Sequence, residues 1–257
     1  MPRKCVRTER SLATETRPLA IVVGSGGAIA RSLLNLWTQS NRYDVVAIGR
    51  VRCDIENVHS LITDYSETSL AQVAASVATR GTNIERLVIT NGVLSGEDFG
   101  PERKVGDIKA SAWQHVMNVN ALTPMLVLSA FWGLIRKSDQ PRIAALTARV
   151  GSLSDNGLGG WYSYRASKAA LNMMLKCAAI EAKRVNKNAK LIAYHPGTVD
   201  SPLSKPFQRS VPEDKLFTPE FSAQQLEGLM SSAIPDGELL LLGLGWRTDR
   251  LVNGIVS

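Results

Sequence analysis

The chain alternates between short unbroken apolar runs and longer stretches whose apolar positions recur every three or four residues. Leu19 to Val23 is such a run, stopped by Gly24, and Ile29, Leu33, Leu36 and Trp37 follow at helical spacing. The strand signal returns at Val45 to Ile48 and more weakly around Leu61 and Ile62, after which Leu70, Val73, Ala74 and Val77 mark one face of a helix. Leu87 to Ile89 reads as a further strand, ended by Asn91-Gly92. Beyond it the pattern predicts a long helix from about Ser111 to Arg136, a strand Arg142 to Leu146, a helix from about Trp161 to Lys183 and a strand Leu191 to Tyr194. Thr218-Pro219-Glu220 supplies a cap, a first-turn proline and an acid at a helix's positive end, so a helix to about Ser231 is expected, then an edge strand Glu238 to Leu242. Continuous apolar strands separated by helices predict an α/β fold: a single doubly wound parallel sheet with helices on both faces. Ligands of such a sheet sit outside the carboxyl ends of its strands.

The unusual residues cluster at those ends: Gly24 to Gly27, Gly49-Arg50, Asp64, Asn91-Gly92, Thr147 to Ser152 and Pro196-Gly197-Thr198. Gly24-Ser25-Gly26-Gly27-Ala28-Ile29 joins the first strand to the first helix, where small residues let a pyrophosphate approach the backbone and the helix amides. Alone, the motif also fits a tight connection with no ligand. At the end of the second strand, where a ribose would be read, stands Arg50, a cation suited to a 2′-phosphate, so NADP is expected over NAD. Asp44 precedes that strand and falls at its wrong end. Asp64 suits either the adenine amino group or a helix cap ahead of Ser66-Glu67. Tyr164 and Lys168 are four apart on the helix predicted from about Trp161 to Lys183 and project from one side of it. An ammonium near a phenol lowers its pKa and lets it exchange a proton with a carbonyl or alcohol.

With these residues in place the chain resembles the short-chain dehydrogenase/reductase family, and within it the carbonyl-reductase-like, C-factor-like branch. The resemblance runs from about Leu19 to Gln225 and rests on GSGGAIA (24–30), NGVL (91–94), VN (119–120), GS (151–152), YSYRASKAALN (162–172) and HPGTVDSPL (195–203). It implies a Rossmann fold and NADP-linked transfer of hydride to or from a small carbonyl or alcohol. It also implies Tyr164 as acid/base, with Lys168 holding the nicotinamide ribose, and Asn120 maintaining a proton-relay water. Pro196, Gly197 and Thr198 match the loop at the nicotinamide carboxamide. The turn residues Gly24, Ser25, Gly26, Gly27 and Ile29, with Asn91 and Gly92, complete the expected cofactor contacts.

Three departures stand out. Thr90-Asn91-Gly92 replaces the family's usual Asn-Ala-Gly, and Ala30 stands where glycine is usual, with a methyl that could crowd the helix or the pyrophosphate. A gapless match puts Ala148 at the position of the serine that polarises the substrate carbonyl. Ser152, twelve residues before Tyr164, is the chosen substitute, with Thr147 as the other hydroxyl in reach. Losing one such donor costs on the order of 10²-fold in rate. Ala30 and Ala148 together motivate a rival reading, a non-catalytic dinucleotide-binding sensor or signalling protein.

Composition narrows the rest. At 257 residues, 44% apolar and 21% charged, the chain suits one domain from residue 19 to 257. The net charge of +7 is partly local, because residues 1–18 carry five basic and two acidic side chains and read as a disordered extension. The mildly basic remainder has no Arg/Lys stripe, so an anionic small molecule is expected as partner and no nucleic acid. No membrane is expected either. Cys5, Cys53 and Cys177 form no CxxC pair, which suits a reducing, cytoplasmic setting. His59, His115 and His195 lack metal-ligand spacing, so no metal is expected. The substrate is expected beside Leu153 to Trp161 and under a mobile segment Ser201 to Phe217, with Leu158, Trp161 and Phe207 as apolar contacts. The family resemblance implies a homodimer or homotetramer through the helices at Ser111–Arg136 and Trp161–Lys183.

Overall fold

A computed structural model describes residues 17–232 and 240–243. Its strands are β1 (Leu19–Val23), β2 (Asp44–Gly49), β3 (Val58–Ile62), β4 (Ile84–Ile89), β5 (Arg142–Leu146), β6 (Lys190–His195), the short pair β7 (Thr198–Val199) and β8 (Leu216–Phe217), and β9 (Leu240–Gly243). The helices are α1 (Ala28–Ser40), α2 (Glu67–Arg80), α3 (Ala110–Met117), α4 (Thr123–Lys137), α5 (Tyr162–Val185) and α6 (Pro219–Ser231). Seven strands form one parallel sheet in the order β3-β2-β1-β4-β5-β6-β9. The strand order reverses between β1 and β4, which opens a crevice at their carboxyl ends.

The period of two along each strand sorts its side chains between two cores. Ile21, Val23, Val46, Ile48, Leu87, Ile89 and Leu191 pack against α2, α4 and α5. Ala20, Val22, Val45, Ala47, Val88, Ile192 and Tyr194 pack against α1 and α6. At the amino ends of the strands, buried Arg86 holds Glu227 of α6 through Nη2 at 2.9 Å, and Trp37 Nε1 donates to the same carboxylate at 2.9 Å. Asp44 lies at this end too, gripped by Arg80 at 2.8 and 2.9 Å, far from any ribose.

The single helix expected over 111–136 is instead α3 and α4 joined by a π-helical turn, Asn118–Leu122. Pro124 has no N–H to give the Asn120 carbonyl, so the regular ladder cannot run through this point. Over 110–137 the helical stretch is apolar and long enough to cross a membrane by composition, but Val127, Leu128, Phe131 and Ile135 are buried on the sheet and form core. The expected edge strand begins at Leu240 and pairs with β6, while Glu238 and Leu239 lie outside the described residues. So do residues 1–16, and with them Cys5 and nearly all of the basic extension.

Candidate active site

Gly24 leaves β1 with φ of 89°, and a Cβ there would come within 2.6 Å of Thr90 Oγ1. Only glycine fits that turn. Its N–H and that of Ser25 donate to the Ile48 carbonyl at 2.8 and 3.2 Å, which ties the turn to β2. Gly27 then opens α1 with no side-chain cap and no acid in the first turn. A Cβ on Gly26 would meet nothing within 4 Å. An exposed turn of glycines at a bare helix N-terminus is a cradle a pyrophosphate can enter. The Ile29 side chain is buried against the sheet, which leaves only its backbone at the turn. Ala30 is likewise fully buried beside Ala20 and Val22, so its methyl is core packing and does not obstruct the turn.

Arg50 is exposed at the carboxyl end of β2 and forms no ion pair among the described residues. Asp64 accepts the Ser66 N–H at 2.8 Å, an Asx turn leading into the Ser66 cap of α2, and these hydrogen bonds hold its carboxyl below the usual range. The cap itself is Ser66, whose hydroxyl accepts the Ser69 N–H, and Asp64 fixes the turn ahead of it. Asn91 presents a buried Oδ1 with no hydrogen-bond partner among the described residues. Gly92 lies between this strip and the chemistry: a Cβ there would sit 3.8 Å from both Asn120 Oδ1 and Lys168 Nζ.

Tyr164 and Lys168 occupy the first two turns of α5, as their spacing predicts. Lys168 is buried, its Nζ donates to the Leu146 carbonyl at 2.8 Å, and it stands 5.8 Å from the centre of the Tyr164 ring. Burial pushes the ammonium down to about 8 and the phenol up to about 12. The expected depression of the Tyr164 pKa is therefore not met here: desolvation governs both groups.

Asn120 is fully buried, with Oδ1 accepting the Val93 N–H at 2.7 Å and Nδ2 donating to the Val93 carbonyl at 2.9 Å and to Ser167 Oγ at 3.0 Å. Its amide hydrogens are committed to Val93 and Ser167. Its main-chain carbonyl is the one that Pro124, without an N–H, cannot engage.

Nor does the structure bring Ser152 to the phenol. A Cβ on Gly151 would meet the Lys168 carbonyl carbon at 2.8 Å, so the chain passes tight over α5 and delivers Ser152 to another flank. There its hydroxyl pairs with Ser154 at 3.2 Å and accepts the Asp155 N–H at 3.3 Å, beside a hollow of about 220 Å³ that Tyr162 and Arg165 line. The Thr147 hydroxyl bonds Asn172 Oδ1 at 2.6 Å. Position 148 itself is alanine and offers no hydroxyl.

Gly197, at φ 72°, turns the chain after β6, and Thr198 then pairs with Leu216 in the short β7–β8 ladder. That ladder roots segment 201–217, in which Gln208 Nε2 bonds Asp200 at 3.0 Å and Ser204 at 2.8 Å. Trp161 packs edge-on to Tyr164 (6.1 Å between centroids) and to Phe207 (5.3 Å), an aromatic wall beside the phenol. Leu153 and Leu158 are almost fully exposed and do not contribute. Two residues to which the sequence assigned no role stand out: His195, whose Nδ1 is buried near Lys168 and Arg149 with no hydrogen-bond partner among the described residues, and Glu102, buried at the start of α5. Neither carries a local pattern, although His195 directly precedes the Pro-Gly turn.

A family model described as short chain dehydrogenase matches residues 19–211. Benzil reductase ((S)-benzoin forming) of Bacillus cereus is 26% identical over 206 residues, spanning 73% of this chain and 76% of that protein. C-signal of Myxococcus xanthus is 34% identical over 102 residues, 40% of this chain and 60% of that protein. The solved structure of NADPH-bound carbonyl reductase from chicken fatty liver shares the fold with a TM-score of 0.73 at 20% identity, over 89% of this chain and 100% of that one. A family match of that extent, covering both the glycine turn and the first two turns of α5, means that the chain belongs to the short-chain dehydrogenase/reductase family of NAD(P)-dependent oxidoreductases.

Proposed function

We propose that the protein transfers hydride between NADP(H) and a small apolar carbonyl or alcohol, with Tyr164 as acid/base. The observation that carries this reading is the Tyr164–Lys168 pair, set beside Gly92 at the end of the dinucleotide strip and bordered by the Trp161–Phe207 wall. The residues fit a dinucleotide: the open cradle at Gly26 and the bare start of α1 suit its pyrophosphate, and Arg50 suits a 2′-phosphate. Asn91 offers an unpartnered polar atom, Lys168 has two further hydrogens for the ribose, and Pro196 to Thr198 suit the carboxamide. When bound, the nicotinamide supplies or accepts the hydride.

In the reductive direction Tyr164 donates its proton to the oxygen that becomes an alkoxide, and Lys168 stabilises the phenolate left behind. The apolar wall excludes water and favours an aromatic or alkyl substituent on the carbonyl carbon. Without a serine at position 148, polarisation of the carbonyl falls to Tyr164 alone, so turnover is expected to be slow. The sensor reading loses one of its two supports, because the Ala30 methyl is absorbed by the core.

NADPH oxidation measured against aromatic aldehydes, ketones and quinones tests the assignment. Tyr164→Phe should lower kcat by at least about 10²-fold. Turnover that this substitution leaves untouched would remove Tyr164 from the mechanism.

A further inference from the structure

Gly159, Gly160 and Trp161 have successive φ angles of 66°, 64° and 53°. Glycine adopts them freely, whereas in tryptophan the left-handed region sets Cβ against the backbone, so this conformation must be held from outside. Trp161 also opens α5 and brings no side-chain cap of its own. Glu102, on the loop between β4 and α3, provides both restraints. Its main-chain carbonyl accepts the Trp161 N–H at 2.6 Å, and its carboxylate accepts the Ser163 N–H at 3.2 Å and the Ser163 hydroxyl. Glu102 is 7% exposed, and its carboxylate lies at the positive end of α5 and enters no salt bridge among the described residues. The loop carrying it is itself braced, since Asp107 accepts the N–H groups of Arg103 and Lys104 at 3.2 Å each.

Tyr164 directly follows Ser163, and its ring packs on Trp161. Lys168 is one turn further on and has separate anchors in the Leu146 carbonyl and the Gly151 packing. The grip of Glu102 therefore falls on the turn that carries the phenol and leaves the ammonium to other contacts. We propose that Glu102 is a positioning residue, clamping Trp161 and Ser163 so that the Tyr164 phenol and the Trp161 ring are aimed into the substrate side of the cleft. This rests on the reductase reading above, and Glu102 itself acts only through the residues it holds.

Steady-state kinetics and NADPH binding on the full chain test it. Glu102→Ala should lower kcat by about 10- to 100-fold, the effect of misplacing a reacting group by about an ångström, with the NADPH Kd within about twofold of the native value. Glu102→Gln, whose amide oxygen can still accept the Ser163 N–H, should restore kcat to within about threefold. Native kcat in Glu102→Ala, a Kd that weakens in step with kcat, or failure of glutamine to rescue would each overturn the proposal. If Glu102→Ala does not fold, Ser163→Ala decides: kcat several-fold lower at unchanged Kd supports the clamp, and unchanged kcat overturns it. Trp161 emission, assigned by difference from Trp161→Phe, reads the clamp without turnover. A spectrum shifted in Glu102→Ala and recovered in Glu102→Gln, in a protein that reduces none of the carbonyls, keeps the clamp and removes the reductase reading.

Discussion

Arg50 stands exposed at the carboxyl end of β2, where a charge-assisted pair with a 2′-phosphate would form at the rim of the cleft. The proposed preference for NADP rests on this side chain alone. Arg50→Asp should weaken NADP binding more than NAD binding by about 1–3 kcal/mol in calorimetric titrations, and equal losses would refute the assignment. His195 is the contrasting case, a buried base with charged neighbours. Burial first, then Arg149 and Lys168, lower its pKa from 6.5 to about 4. Between those values the unfolded chain binds a proton that the folded chain refuses, so its contribution is intact above pH 6.5 and is lost as pH falls towards 4. The loss amounts to at most about 3 kcal/mol. Denaturation midpoints across pH 4 to 7 should therefore flatten in His195→Gln; an unchanged acid limb would show that other groups cause it.

The elements that build the site are fixed by close backbone contacts. At Gly151 the loop after β5 meets the backbone of α5, with Lys168 C at 2.8 Å and Ala169 N at 3.0 Å from a would-be Cβ. Backbone cannot swing aside as a long side chain can. Gly151→Ala should cost about 1–3 kcal/mol in urea unfolding and also weaken NADPH binding, because the helix turn it displaces carries Lys168. A substitution that costs stability alone would separate the loop from the cofactor site. The π turn at Asn118–Leu122 follows the same logic, since it lets Asn120 reach across to Val93 and Ser167 and so couples the β4 loop to α5.

Across the molecule, the glycine turn, the β4 loop and the start of α5 converge at one end of the sheet, while the Arg86–Glu227 ion pair ties α6 to the other. The π turn and α5 leave apolar side chains in solvent: Leu122 is 49% exposed, and Met173 and Ile180 on α5 are 64% and 43% exposed. Such residues suit burial between copies of the chain. Sedimentation should show a dimer or tetramer that Met173→Glu with Leu122→Glu dissociates; a native monomer would remove this assembly.

The alternation of strands and helices, the glycine turn and the pairing of Tyr164 with Lys168 were readable from the chain because each depends on spacing within about ten residues, and backbone geometry turns such spacing directly into a shared face. Contacts across long sequence separations were not readable in this way. Glu102 meets Ser163 from 61 positions away, and Asn120 meets Val93 from 27. The same packing turned Ser152 away from Tyr164, buried the Ala30 methyl in the core and left His195 Nδ1 without a partner among the described residues. Which atom meets which is set when whole elements dock, and no local pattern records it. The positions of the chemistry along the chain therefore belong to the sequence, whereas its aim belongs to the tertiary structure.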